Sequence, residues 1–143
     1  MNNASSSKSV TLADQDLQRD IDNAVQLERN SQMIVAERNE VRPKNTSRSY
    51  YSRQEEWKTW CIDQKFTDGV TVNDRKLSLF LREFIVPRGR KTERNTDGSA
   101  IPLGRESINS YVKACMDLQS QQLALNNETR AVNRGPLVVA FME

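Results

Sequence analysis

The sequence predicts an all-α protein, a small four- to five-helix bundle with an N-terminal helical arm. Three observations predict it. The prolines (Pro43, Pro87, Pro102, Pro136) and glycines (Gly69, Gly89, Gly98, Gly104, Gly135) fall between stretches of helical periodicity. No segment sustains the apolar–polar alternation of a half-buried strand. All nine aromatic residues lie between Tyr50 and Phe141, so the core-forming material is concentrated in one part of the 143-residue chain. With 36% hydrophobic and 28% charged residues, that core is modest and the surface heavily solvated.

Residues 1–10 are polar and serine-rich and are expected to form a disordered tail. Residues 11–42 form the arm, an acidic amphipathic helix with Leu17, Ile21, Val25 and Ile34 as its apolar stripe. Pro43 ends it, because its ring disfavours a helical conformation at Arg42. The domain proper is expected over 43–143. Its first helix, from Asn45 to Gln64, is capped by Asn45 or Thr46 and turns Tyr50, Trp57, Trp60, Cys61 and Gln64 to one face. The next, from Asn73 to Val86, has Asn73 as its cap, Asp74 in its first turn and Pro87 as its stop. Its apolar face is Leu77, Phe80, Leu81, Phe84 and Ile85. A third runs from about Gly104 to Leu125 on Ile108, Tyr111, Val112, Cys115, Leu118 and Leu123. A short last helix starts at Pro136 and buries Leu137, Val138 and Phe141.

The chain contains no histidine, which excludes Ser-His-Asp and Cys-His nucleophiles, histidine ligation of zinc or haem, and a histidine general base. Its two cysteines, Cys61 and Cys115, lie in apolar-periodic segments and read as buried free thiols; two thiolates alone make no zinc site. The carboxylates form no catalytic pair, and no phosphate loop, CxxC or EF-hand pattern is present. No metal, cofactor or small-molecule substrate is expected, and the chain does not read as an enzyme. The N-terminus lacks the apolar region of a secretory signal, and the run from Leu137 to Met142 is too short to span a bilayer, so an intracellular protein without a membrane partner is expected.

Charge is distributed unevenly. The net +2 is the sum of residues 1–40 (four basic, seven acidic, −3) and residues 41–143 (17 basic, 12 acidic, +5). Within the basic part, Arg88, Arg90, Lys91 and Arg94 crowd one glycine-containing loop, which can follow a phosphate backbone or can simply be a solvated surface loop. Lys44, Thr46 and Arg48 stand at a helix N-terminus, where cations, hydroxyls and free N–H groups suit a phosphate; capping alone also accounts for the hydroxyl. Arg105, Asn109 and Lys113, with Ser107 or Ser110 nearby, would present base-reading side chains on one helix, and an ordinary polar face has the same composition. On this chemistry the chain is a binding module.

The order of these residues resembles a known family. Asn45-Thr46-x-x-x-Tyr50-Tyr51 followed by Trp57-x-x-Trp60-Cys61 is similar to the opening helix of the SAM-like core-binding domain of tyrosine recombinases. Leu77-Ser78-Leu79-Phe80-Leu81 resembles the family's short Leu/Phe helix, and Ser107-Ile108-Asn109-Ser110-Tyr111-Val112-x-Ala114-x-x-x-Leu118 its S-T-I-x-x-Y-x-x-A-x-x-x-L helix. The continuation Leu118-Gln119-Ser120-Gln121-Gln122 and then Asn133-Arg134-Gly135-Pro136-Leu137-Val138 is similar to the fungal branch, which includes Crypton-type recombinases and centromere-DNA-binding kinetochore subunits. Val132 and Asn133 stand where many relatives have other residues before Arg-Gly. The resemblance covers roughly residues 43–142. It implies one half of a clamp on double-stranded DNA in the nucleus, with Arg134 added to the contacts and with recombination chemistry confined to a second domain. Tyr50, Tyr51 and Tyr111 then belong to the fold and are not the nucleophile. The competing expectation is a protein-interaction or dimerisation module, with residues 11–40 pairing with another copy or another protein.

Overall fold

The computed structural model describes residues 11–126 and 132–143; the expected tail over 1–10 lies outside them. The protein is a small all-α bundle. Among the described residues the helices are α1 (Leu12–Val41), α2 (Lys44–Gln64), α3 (Asp74–Leu79), a π-helical segment (Phe80–Ile85), α4 (Val86–Arg88), α5 (Arg105–Leu125) and α6 (Pro136–Met142). The only extended pairing among them is an isolated bridge between Arg94 and Ala100. The chain divides into two compact units, Met1–Arg38 and Asn39–Glu143.

The first unit is carried by α1, thirty residues long and about 45 Å by the helical rise. Thr11 caps it, its Oγ1 accepting from the Asp14 N–H at 3.1 Å. Side-chain pairs at i,i+3 and i,i+4, such as Gln18 with Asp22 and Arg19 with Asp16, brace its polar surface. No residue of α1 is buried.

The second unit packs around Trp57, fully buried on α2, whose ring meets Phe80 edge-on at 5.2 Å and Trp60 at 5.5 Å. Leu77, Leu81, Ile85, Val112, Cys115 and Val138 complete this core without exposure. The main helix pairings are α2 with α5 and α3 with α6. Two glutamines of α5 fix the connection after α2. Gln122 accepts from the Val72 N–H and donates to the Val70 carbonyl, and Gln119 donates to the Val72 carbonyl. The Trp57 Nε1–H reaches the same Val70 carbonyl at 2.9 Å. The buried Val72 and its neighbour Val70 thereby have these backbone groups satisfied by side chains.

Several expectations are corrected. Pro43, not Asn45 or Thr46, is the cap residue of α2, and no side chain caps that end. Its carbonyl already accepts from the Ser47 N–H at 3.1 Å, which draws Asn45 and Thr46 into the first turn. Gln64 is exposed and Phe84 only partly buried, whereas Gln54 is buried, donating to the Ala114 carbonyl at 2.9 Å and to Asp117. Pro87 does not stop its helix. The turn before it widens to π geometry, and Pro87 sits inside the continuation through Arg88. Gly89 ends the helix instead, at φ 68°, and a Cβ there would stand 2.3 Å from the Ile101 carbonyl oxygen. On α6, Val138 is buried but Leu137 is about half exposed. The expected cap role of Asn73 is present, its side chain accepting from the Lys76 N–H at 2.9 Å.

Candidate nucleic-acid interface

Four of the expected contact residues meet on one surface. Arg105, Asn109 and Lys113 follow each other at i, i+4 and i+8 on α5, away from the face that carries Tyr111, Cys115 and Leu118. Arg105 and Lys113 are exposed and form no ion pair among the described residues. Arg134, from the segment preceding α6, donates from Nη2 to the Asn109 Oδ1 at 2.5 Å. That bond holds a guanidinium beside the first turns of α5 and uses the Asn109 oxygen, leaving its amide N–H groups without a hydrogen bond to Arg134. Ser107, two residues from both Arg105 and Asn109, lies off this stripe and is partly buried, while the Ser110 hydroxyl is spent on the Glu106 carbonyl.

The α2 terminus is divided in the same way. Lys44 and Arg48 are exposed one turn apart, and Thr46 is partly buried on another side of the helix. The preceding Arg42 is committed: it pairs with Asp117 at 2.9 Å, donates to the Ser47 hydroxyl and lies over the Tyr50 ring at 4.9 Å.

The basic loop is a pinned excursion. The Arg90 N–H donates to the Ile101 carbonyl at 2.8 Å, the Asn95 N–H to the Ser99 carbonyl at 3.0 Å, and Asp97 accepts from both the backbone and the hydroxyl of Ser99. Arg88 departs from its expected role. Its guanidinium turns inward, pairing with Glu56 and donating to the Tyr111 hydroxyl at 2.8 Å, and that hydroxyl donates to the other Glu56 oxygen at 2.8 Å. Only 19% of the Arg88 side chain and 13% of the Glu56 side chain are exposed, so Arg88 is a structural cation and leaves the set that can meet a phosphate. Burial works against the Arg88 charge, but its bonds to Glu56 and Tyr111 outweigh this and raise its pKa. Burial likewise raises the Tyr111 phenol. Lys91 stands 3.8 Å from Glu56 and stays mostly exposed; Arg90 is exposed and paired with Glu93; Arg94 folds over the Arg90 and Glu93 carbonyls.

Some features had weak signals in the sequence. Lys76, beside Leu77 on α3, is buried against the Trp57 and Phe66 rings and pairs with Asp68 at 2.8 Å. An open cleft of about 680 Å³ between α3 and α6 has Phe66, Leu79 and Phe141 on its walls and Arg75 and Arg82 at its rim. Gly135-Pro136 offers α6 no local capping side chain, which signals a cap from elsewhere. Asp74 supplies it, accepting from the Leu137 and Val138 N–H groups at 2.9 and 3.0 Å.

Among the described residues, no cluster of three or more His, Cys, Asp or Glu could hold a metal ion, and no helix is long and apolar enough to cross a membrane. No protein-family model, curated protein or solved structure matches this chain.

Proposed function

We propose that the Asn39–Glu143 unit is a non-catalytic module that binds double-stranded DNA, acting in the nucleus as a relative of the fungal tyrosine-recombinase core-binding domains. The observation that carries this reading is the α5 surface. Exposed Arg105 and Lys113 flank a partly exposed Asn109 on one stripe, and Arg134 is hydrogen-bonded into it from a separate segment. Two cations at either end of an amide, with a third beside it, suit phosphates flanking a base edge. Lys44 and Arg48, and the exposed Arg90, Lys91 and Arg94, are further cations that can extend phosphate contact.

A fluorescence-anisotropy titration of the full chain against a duplex tests the reading. Neutralisation of three phosphates by Arg105, Lys113 and Arg134 predicts an affinity loss of about fortyfold between 50 and 200 mM salt. Lys113→Ala is expected to weaken all duplexes alike and to flatten the salt slope by about one, whereas Asn109→Ala changes the preference between duplexes. Salt-independent binding, or none, would overturn the proposal.

One observation favours a second role, helical protein interaction. Leu17, Ile21 and Val25 lie at i, i+4 and i+8 on α1 and are each about half exposed. A stripe of this kind on a helix without buried residues is normally covered by a partner.

A further inference from the structure

We propose, on the reading that this unit binds duplex DNA, that the base edge its α5 surface takes is the major-groove edge of guanine. Arg134 grips that edge, and Asn109 is the positioning residue that aims it. An arginine side chain carries donors and no acceptor, so its 2.5 Å contact with Asn109 can be made only to the amide oxygen. The contact therefore fixes which way round the amide stands, with Oδ1 toward Arg134. The Asn109 Nδ2 makes no hydrogen bond among the described residues. It is also reached by solvent, since the buried side-chain N and O atoms without a partner there are Asn39 Oδ1, Arg53 Nε and Arg88 Nε.

This orientation separates the two purines. Asparagine reads adenine with both ends of its amide, accepting from N6 and donating to N7. Here a guanidinium already sits on the oxygen, and an adenine amino group would have to approach beside that cation. Guanine presents O6 and N7, acceptors only, on the same edge. Arg134 is exposed; it spends an N–H of Nη2 on Asn109 and keeps the rest of its fork for a bidentate contact with O6 and N7. Arg105 and Lys113, also exposed and also donors only, then take the flanking phosphates. Glu106, an exposed carboxylate in the first turn of α5, would accept from a cytosine or an adenine amino group alike and does not set the preference.

Anisotropy titrations of the full chain against duplexes of equal length test this. A dG·dC duplex is expected to bind about tenfold more tightly than dA·dT. Hypoxanthine keeps O6 and N7 but lacks the minor-groove amino group, so dI·dC should bind as dG·dC does. A duplex carrying 7-deazaguanine lacks N7 and should lose most of the advantage. Asn109→Ala should abolish the preference and leave the salt slope unchanged, because no cation is lost. Asn109→Asp keeps an oxygen for Arg134 and should retain the preference at lower overall affinity. Salt-dependent binding without preference, or with preference for dA·dT, overturns the guanine assignment and leaves the DNA-binding reading standing. The same holds if dI·dC behaves as dA·dT, which would place recognition in the minor groove. A preference untouched by Asn109→Ala, or lost equally in Asn109→Asp, overturns the positioning role of Asn109. Binding to no duplex at any salt overturns DNA binding and the guanine assignment together.

Discussion

Arg88 and Arg90 are two residues apart in one basic cluster, yet only one of them carries structural weight. The guanidinium of Arg88 closes a triangle with Glu56 and Tyr111, and its removal would strand a mostly buried carboxylate. Arg88→Ala should therefore destabilise the unit by about 3 kcal/mol. Arg90→Ala, at an exposed i,i+3 pair with Glu93, should stay within about 0.5 kcal/mol. Urea denaturation of the two variants measures the contrast, and equal midpoints would refute the assignment of Arg88 to the fold. The thiols make a second statement at this scale. Burial pushes the Cys61 thiol from 9.0 up to about 11, partly countered by Lys76, and raises Cys115 as well. The folded state thus favours the neutral thiols. Their contribution is fully present below about pH 9, the unfolded value, and is lost as pH rises through the folded values. Tyr111, raised by burial, acts in the same direction. The urea midpoint should fall above pH 9, and a thiol reagent at pH 7 should label the unfolded chain but not the native one.

At the scale of elements, the helices and several of their ends were readable, among them the Asn73 cap, Gln64, Leu125 and Pro136. The start of α2 and the stop at Pro87 were not. The spacing of Leu77, Phe80, Leu81 and Ile85 identified a helix face because burial follows the helical period. Pro87 misled because a wider π turn can absorb a proline that an α-turn rejects, and nothing local in the sequence announces that turn. The cap of α2 was misplaced for a related reason: asparagine and threonine are strong caps in general, but the fixed φ of Pro43 started the helix earlier. The α5 stripe of Arg105, Asn109 and Lys113 could be read from spacing alone. Its contact with Arg134 could not, since 25 residues separate Arg134 from Asn109 and only the tertiary fold brings them together. The inward turn of Arg88 was hidden likewise, because its partners Glu56 and Tyr111 come from two other helices.

At the scale of the whole molecule, charge is divided unevenly along the chain. The helix α1 carries three basic and seven acidic residues and buries none of its side chains, whereas residues 41–143 carry a net +5. Acidity on α1 disfavours the arm as a DNA ligand.

The Asp74 cap also has a consequence for the order in which the bundle assembles. Seven residues are too few for α6 to persist alone in water, and two of its first N–H groups depend on a carboxylate from the opening turn of α3. The closing helix must therefore form after α3 is in place. Asp74→Ala should speed unfolding severalfold while leaving the refolding rate nearly unchanged, a pattern that stopped-flow measurements would resolve. Equal slowing of refolding would instead put α6 in the folding nucleus.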